Sequence, residues 1–166
     1  MRPHADRLFL CGAPASGKTT IGRALARELG ATFVDTDAAI VARTKQSIAQ
    51  IFEDLGEPAF RALEVTALNE SIAHARAVIA LGGGTLLAAE NRALVSRSGC
   101  SVYLRAQVAT LERRLERHAV VRPLLATTRV GTLLDARRDV YEAADIIVDV
   151  DGRSPSDIVR EIVRRA

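Results

Sequence analysis

Gly12-Ala13-Pro14-Ala15-Ser16-Gly17-Lys18-Thr19 follows directly on the apolar run Leu8-Phe9-Leu10-Cys11 and precedes a helical pattern from Ile21 to Leu29. Set between a strand and a helix, the spacing GxxxxGKT belongs to a loop that wraps a phosphate chain with inward-facing backbone N–H groups. Its two glycines allow close approach and φ values that a Cβ resists. Lys18 supplies a mobile positive charge for the outer phosphates, and the Thr19 hydroxyl is a ligand Mg²⁺ accepts beside phosphate oxygens and water. The loop predicts binding of MgATP or MgGTP.

Outward from the loop, apolar strand patterns alternate with helical ones. Strands are expected at Thr32 to Asp35, Ala77 to Leu81, Cys100 to Leu104 and Asp145 to Asp149. Helices are expected at about 38–43, 47–55, 58–75, 89–96, 108–117 and 131–144, with a last one opened by Ser154 as cap and Pro155 as first helical residue. Ser47 with Gln50 forms a capping box, and Gly56 ends the helix it starts. The alternation predicts an α/β fold, a parallel sheet covered on both faces. Residues 118–128, with Arg122-Pro123, lack periodicity and read as a mobile cover.

The 166 residues suit one domain. At 26% charged and 48% hydrophobic, with no apolar run of 18 residues, the chain is not expected to span a membrane. Arg2 and Arg7 before an apolar stretch imitate a signal peptide, but cleavage there would destroy the loop, so the cytoplasm is expected. Cys11 and Cys100 suit a reducing compartment and, at opposite ends of their strands, should be too far apart to bridge. The net charge of +3 is almost all arginine, since Lys18 and Lys45 are the only lysines. Scattered arginines and 4% aromatic residues argue against nucleic acid and for small anions.

In open α/β sheets the ligand lies beyond the carboxyl ends of the strands. Phosphoryl transfer there requires a loop lysine, a metal held by hydroxyl and carboxylate, and a group that orients the acceptor oxygen. Asp35 and Asp37 offer the last two: Asp35 for Mg²⁺ through water, Asp37 for the hydroxyl to be phosphorylated, or else as cap of the following helix. Gly82-Gly83-Gly84 after a buried strand admits a substrate close to backbone. Arg61 and Arg137 suit a bidentate grip on a carboxylate. For Arg61 the pattern leaves open a plain helical ion pair with Glu64, worth a few tenths of a kcal/mol. Arg122 resembles a cation that arrives over the phosphates when a lid shuts.

Five ordered stretches resemble the shikimate kinases over nearly the whole chain: Gly12 to Thr19; Asp35-Thr36-Asp37; Ile51 to Arg61, with Gly56-Glu57 and Phe60-Arg61; Gly82-Gly83-Gly84; and Arg122-Pro123-Leu124-Leu125. The resemblance implies a three-layer P-loop kinase with a five-stranded parallel sheet, a substrate-binding region at about 36–64 and a lid at about 115–128. The implied reaction moves the γ-phosphoryl of ATP to the 3-hydroxyl of shikimate, in aromatic amino acid biosynthesis, by a monomer that needs no macromolecular partner. It implies Asp37, Arg61, Arg137 and the glycines Gly82, Gly83 and Gly84 for shikimate. Asp37 would act as base, with Lys18 and Arg122 on the transferring phosphate and Thr19 and Asp35 on Mg²⁺. Nucleotide contacts are implied for Gly12, Ala13, Pro14, Ala15, Ser16, Gly17, Lys18, Thr19, Thr20 and Arg122, and for Arg153 and Pro155 on the adenine side. The stretch Arg137-Arg138-Asp139-Val140-Tyr141 lacks the family's proline and leucine, so the carboxylate ligand is Arg137 or Arg138. The arginine over adenine is Arg113, Arg114 or Arg117. Rival readings are a gluconate kinase and a silent metabolite sensor of the same fold.

Overall fold

The computed structural model describes residues 6–118 and 129–166. Five strands, β1 (Arg7–Cys11), β2 (Thr32–Asp35), β3 (Ala77–Ala80), β4 (Cys100–Arg105) and β5 (Ile146–Asp149), form one sheet in the order β2-β3-β1-β4-β5. Every neighbouring pair is parallel. Helices α1 (Lys18–Leu29), α2 (Thr36–Thr44), α3 (Ile48–Ser71), α4 (Ala89–Ser98), α5 (Val108–His118), α6 (Val130–Glu142) and α7 (Pro155–Arg165) make the connections. The central strands are apolar on both faces because helices cover both: all four residues of β3 are buried, as are Leu8 to Cys11 of β1. A second, smaller apolar cluster, Ile40, Ile51, Phe60 and Ala67, joins α2 to α3.

Several local expectations hold. Ser47 Oγ accepts from Gln50 N while Gln50 Oε1 accepts from Ser47 N, the reciprocal box that starts α3. Gly56, at φ 81° and ψ 171°, interrupts α3 where a helix end was expected, a backbone state that costs a side chain dearly. Ser154 Oγ accepts from Asp157 N with Pro155 at the first position of α7. Helix α1 begins earlier than expected, at Lys18, because the loop's last residues already have helical backbone. Helix α3 stops at Ser71, and Thr85–Leu87 form a 3₁₀ turn that no periodicity announced.

The register pairs Leu8 with Cys100 and Cys11 with Tyr103, so the two cysteines lie three pairs apart along β1 and β4, both buried and neither in a disulfide. Burial pushes the Cys11 thiol up to about 12, which leaves it unreactive. Among the described residues, no helix is long and apolar enough to cross a membrane. The expected lid begins inside α5; the remainder, with Arg122, lies outside the described residues.

Candidate active site

Parallel pairing sets the carboxyl ends of three strands level. Leu10 pairs with Ala80 and Ala80 with Asp35, so the phosphate loop, the Asp35-Thr36-Asp37 turn and the glycine turn leave the sheet side by side. Buried Thr36 stitches the last two together: its Oγ1 donates to Ala80 O at 3.3 Å and accepts from Gly82 N at 3.0 Å. The chain leaves β1 toward β2 and leaves β4 toward β5 on the opposite side, the reversal at which open α/β sheets hold ligands.

Over this edge lies a cleft of about 570 Å³ lined by the loop from Ala15 to Thr20, by Asp35 and Asp37, and by Arg114, Arg153 and Pro155. Gly17 caps α1 at φ 101°, and Ala15 is held at φ 64°, a left-handed state that strains any side chain. Lys18 Nζ reaches back over the loop to the carbonyls of Gly12 and Ala13, at 2.9 and 3.0 Å. Ser16 Oγ is buried in the loop with no hydrogen-bond partner among the described residues. A turn of convergent N–H groups at a helix start, with a lysine and an orphaned hydroxyl, fits a polyphosphate.

Thr19 Oγ1 donates to Asp35 Oδ2 at 2.8 Å, so the two residues expected to share a metal do meet. Asp35 is also the cap of α2, its Oδ1 accepting from Ala38 N at 3.2 Å. The capping role considered for Asp37 therefore falls to Asp35, and Asp37 stands in the first turn, on the cleft. No group of three or more His, Cys, Asp or Glu side chains able to hold a metal occurs among the described residues. One hydroxyl and one carboxylate, both hard oxygen donors, fit Mg²⁺, which keeps waters and takes its other ligands from phosphates.

The glycine turn faces a different set of side chains. A Cβ on Gly82 would meet Asp37 Oδ1 at 2.6 Å and Glu64 Oε1 at 2.8 Å. One on Gly83 would meet Arg137 Nη1 at 2.9 Å, and one on Gly84 would meet the Arg61 guanidinium. A Cβ on Gly83 would also lie 3.9 Å from Pro14 Cδ, so the glycine turn runs beside the phosphate loop. Asp37, Arg61 and Arg137 come from α2, α3 and α6, so only the fold could bring them to one turn.

Arg61 holds two carboxylates: Nη1 donates to Glu64 Oε2 at 2.5 Å, and Nη2 to Glu57 Oε1 at 2.8 Å. The ion pair with Glu64 was weighed as a surface contact, but Glu64 is 1% exposed and also accepts from Thr85 Oγ1 at 2.9 Å. Its signal was an acid on the apolar stripe Phe60, Glu64, Ala67, Leu68. Arg137 is 5% exposed, whereas Arg138 points outward to Asp135 at 2.5 Å. Of the two, Arg137 lies on the buried stripe Val130, Leu134, Arg137, Tyr141 and Arg138 lies off it. Of the three arginines considered for adenine, Arg114 lines the cleft and donates to Ala15 O at 3.1 Å, while Arg113 and Arg117 are exposed. Arg153 lines the cleft from the far side, fixed by Glu161 at 2.6 Å.

The family model described as shikimate kinase matches residues 14–166. The chain is 41% identical over 163 residues to a shikimate kinase of Halorhodospira halophila, covering 95% of this chain and 92% of that one. It is 40% identical over 166 residues to a shikimate kinase of Bordetella pertussis, covering 97% and 78%. A solved structure of the shikimate kinase from Acinetobacter baumannii in complex with shikimate superposes with a TM-score of 0.89 at 34% identity, over 95% of this chain and 90% of that one.

Proposed function

The chain belongs to the shikimate kinase family, and we propose that the residues gathered at the glycine turn and the phosphate loop perform that family's reaction in it. The reaction is ATP-dependent phosphorylation of the 3-hydroxyl of shikimate, giving shikimate 3-phosphate in aromatic amino acid biosynthesis. The observation that carries the residue assignment is the approach of Asp37, Arg137 and Arg61 to Gly82, Gly83 and Gly84 respectively, at a turn beside the phosphate loop.

On this reading the Arg61 and Arg137 guanidiniums take the carboxylate of shikimate, and the ring lies against the backbone of Gly82 to Gly84. Asp37 orients the 3-hydroxyl and takes its proton as the oxygen attacks the γ-phosphorus. Lys18 leaves the loop carbonyls for the transferring phosphoryl group, and Arg122 adds a second cation. The loop from Gly12 to Thr20 holds the phosphates, through backbone N–H groups at every position but Pro14, while Arg114, Arg153 and Pro155 flank the base. Thr19 and Asp35 would hold Mg²⁺, which when bound neutralises phosphate charge and fixes the geometry of the phosphates. Positioning and charge account for nearly all catalysis of this kind, and the side chains named supply both.

An ADP-release assay with shikimate and, separately, gluconate tests the reading. Shikimate-dependent release and no response to gluconate are expected, with Lys18→Ala lowering kcat about 10³-fold. Turnover with gluconate alone would replace the acceptor, and no turnover with either would favour a silent sensor.

A further inference from the structure

Tyr141, one turn beyond Arg137 on α6, has no role in the scheme above. It is 2% exposed, and its ring stacks on Tyr103 of β4 with centroids 5.2 Å apart and planes at 30°. Its hydroxyl donates to Gly83 O at 2.5 Å, and the Arg137 guanidinium stands over the same glycine: a Cβ built on Gly83 would lie 2.9 Å from Arg137 Nη1 and 3.7 Å from the Tyr141 hydroxyl. A phenol has one proton to give and lone pairs to receive, so with its proton on Gly83 O it is left able only to accept from a guanidinium beside it. Among the described residues, no carboxylate lies within ion-pair distance of Arg137. A buried cation without a counter-ion depends on what hydrogen bonds it has. Burial raises the Tyr141 pKa and the Arg137 charge opposes it, the net direction being upward, so the proton that Gly83 O accepts stays in place at neutral pH.

We propose that Tyr141 is a positioning residue for acceptor binding: it holds the Arg137 guanidinium toward the acceptor's carboxylate and ties it to the turn under the acceptor's ring. The stack on Tyr103 fixes the phenol's ring, and the Gly83 carbonyl fixes its rotation. The inference rests on the reading of Arg137 as a carboxylate ligand.

Steady-state kinetics of Tyr141→Phe with shikimate and with shikimate methyl ester, beside thermal melting, test it. The variant keeps the ring and loses the hydroxyl. The KM for shikimate is expected to rise about tenfold, with kcat and the KM for ATP within about twofold of wild type. The preference for the acid over the ester, as a ratio of kcat/KM, is expected to fall by a similar factor. An unchanged KM and an unchanged preference would overturn the proposal, whatever the melting temperature does, since a tyrosine that only packs alters stability alone. Should wild type itself show no preference for the acid, the carboxylate role of Arg137 fails first and this inference falls with it. If Tyr141→Phe does not fold, Tyr103→Leu removes the stack and leaves the phenol. A lowered acid preference there supports the proposal, and an unchanged one overturns it.

Discussion

The two arginines at the glycine turn have opposite surroundings. Arg61 on α3 lies between Glu57 and Glu64 and remains 27% exposed in its side chain. Arg137 on α6 is 5% exposed and meets a phenol and a backbone turn, with no carboxylate in ion-pair reach among the described residues. Arg61 is held by charge that the protein supplies, whereas Arg137 is packed beside the Gly83 turn and the Tyr141 phenol, and on the proposed reading its charge is left for the substrate's carboxylate. A buried charge without a partner costs stability, so its presence at the proposed substrate cradle reads as binding capacity stored in the fold. The two guanidiniums can therefore share one ligand and still differ in what they do for the unliganded protein.

The sharpest way to break this contrast is Arg137→Ala. It removes the cation without a protein counter-charge, so kcat/KM for shikimate should fall about 10²- to 10³-fold, or ~3–4 kcal/mol. The melting temperature should hold or rise, because the substitution also removes an uncompensated buried charge. Calorimetric melting of the variant checks the second half. A fall of several degrees would mean that Arg137 is a structural cation like Arg61.

Arg61→Ala should reverse the balance. Activity should fall less, with the KM for shikimate up about tenfold, since Arg137 still grips the carboxylate. Stability should fall more, because Glu64 is left buried with Thr85 but without its cation. A cost of about 2–3 kcal/mol corresponds to roughly 5–10 °C in a chain of this size. Adding Glu64→Gln, which removes the stranded charge, should restore most of the melting temperature and little of the KM. Equal recovery of both would deny the separation of roles.

Sequence carried this comparison part of the way. The phosphate loop was legible because its chemistry is local: GxxxxGKT states backbone and side-chain demands in eight consecutive residues. The box at Ser47 and the break at Gly56 were legible for the same reason. What stayed hidden was set by tertiary contact. Arg61 and Glu64 looked like a helical pair worth a few tenths of a kcal/mol, and only burial of Glu64 against Thr85 raises its weight. Tyr141 gave no sign of its link to Gly83, 58 residues away. Spacing alone does carry the burial of Arg137 over Arg138, since Val130, Leu134 and Tyr141 place Arg137 on their stripe.

Gly84→Ala probes the position of Arg61 without removing it. The backbone there, φ −104° and ψ −3°, suits any residue, so the new methyl adds no backbone strain. Its one conflict is with the far end of the Arg61 side chain, which can swing aside. The KM for shikimate should rise by roughly three- to tenfold while the melting temperature moves by less than about 2 °C. A stability loss as large as that of Arg61→Ala would show that the guanidinium cannot move without unpairing Glu64.

The smallest effect should come from an exposed ion pair, bidentate where the contact of Arg61 with Glu64 is single. Arg105 Nε donates to Asp149 Oδ1 at 2.5 Å, the length of the Arg61 to Glu64 contact, but the two side chains are 45% and 60% exposed. Water screens such a pair, so Arg105→Ala should cost about 0.5 kcal/mol, or roughly 1–2 °C, with unchanged kinetics. The hydrogen bond from Arg105 holds the Asp149 carboxyl below its usual range. A depressed folded pKa stabilises above the unfolded value, near pH 4, and its contribution fades as pH falls through the folded value. The gap in melting temperature between variant and wild type should therefore be present at pH 7 and vanish toward pH 2. If this exposed pair matched the cost of losing Arg61, length rather than burial would set the worth of an ion pair here, and the contrast between the two arginines would lose its cause.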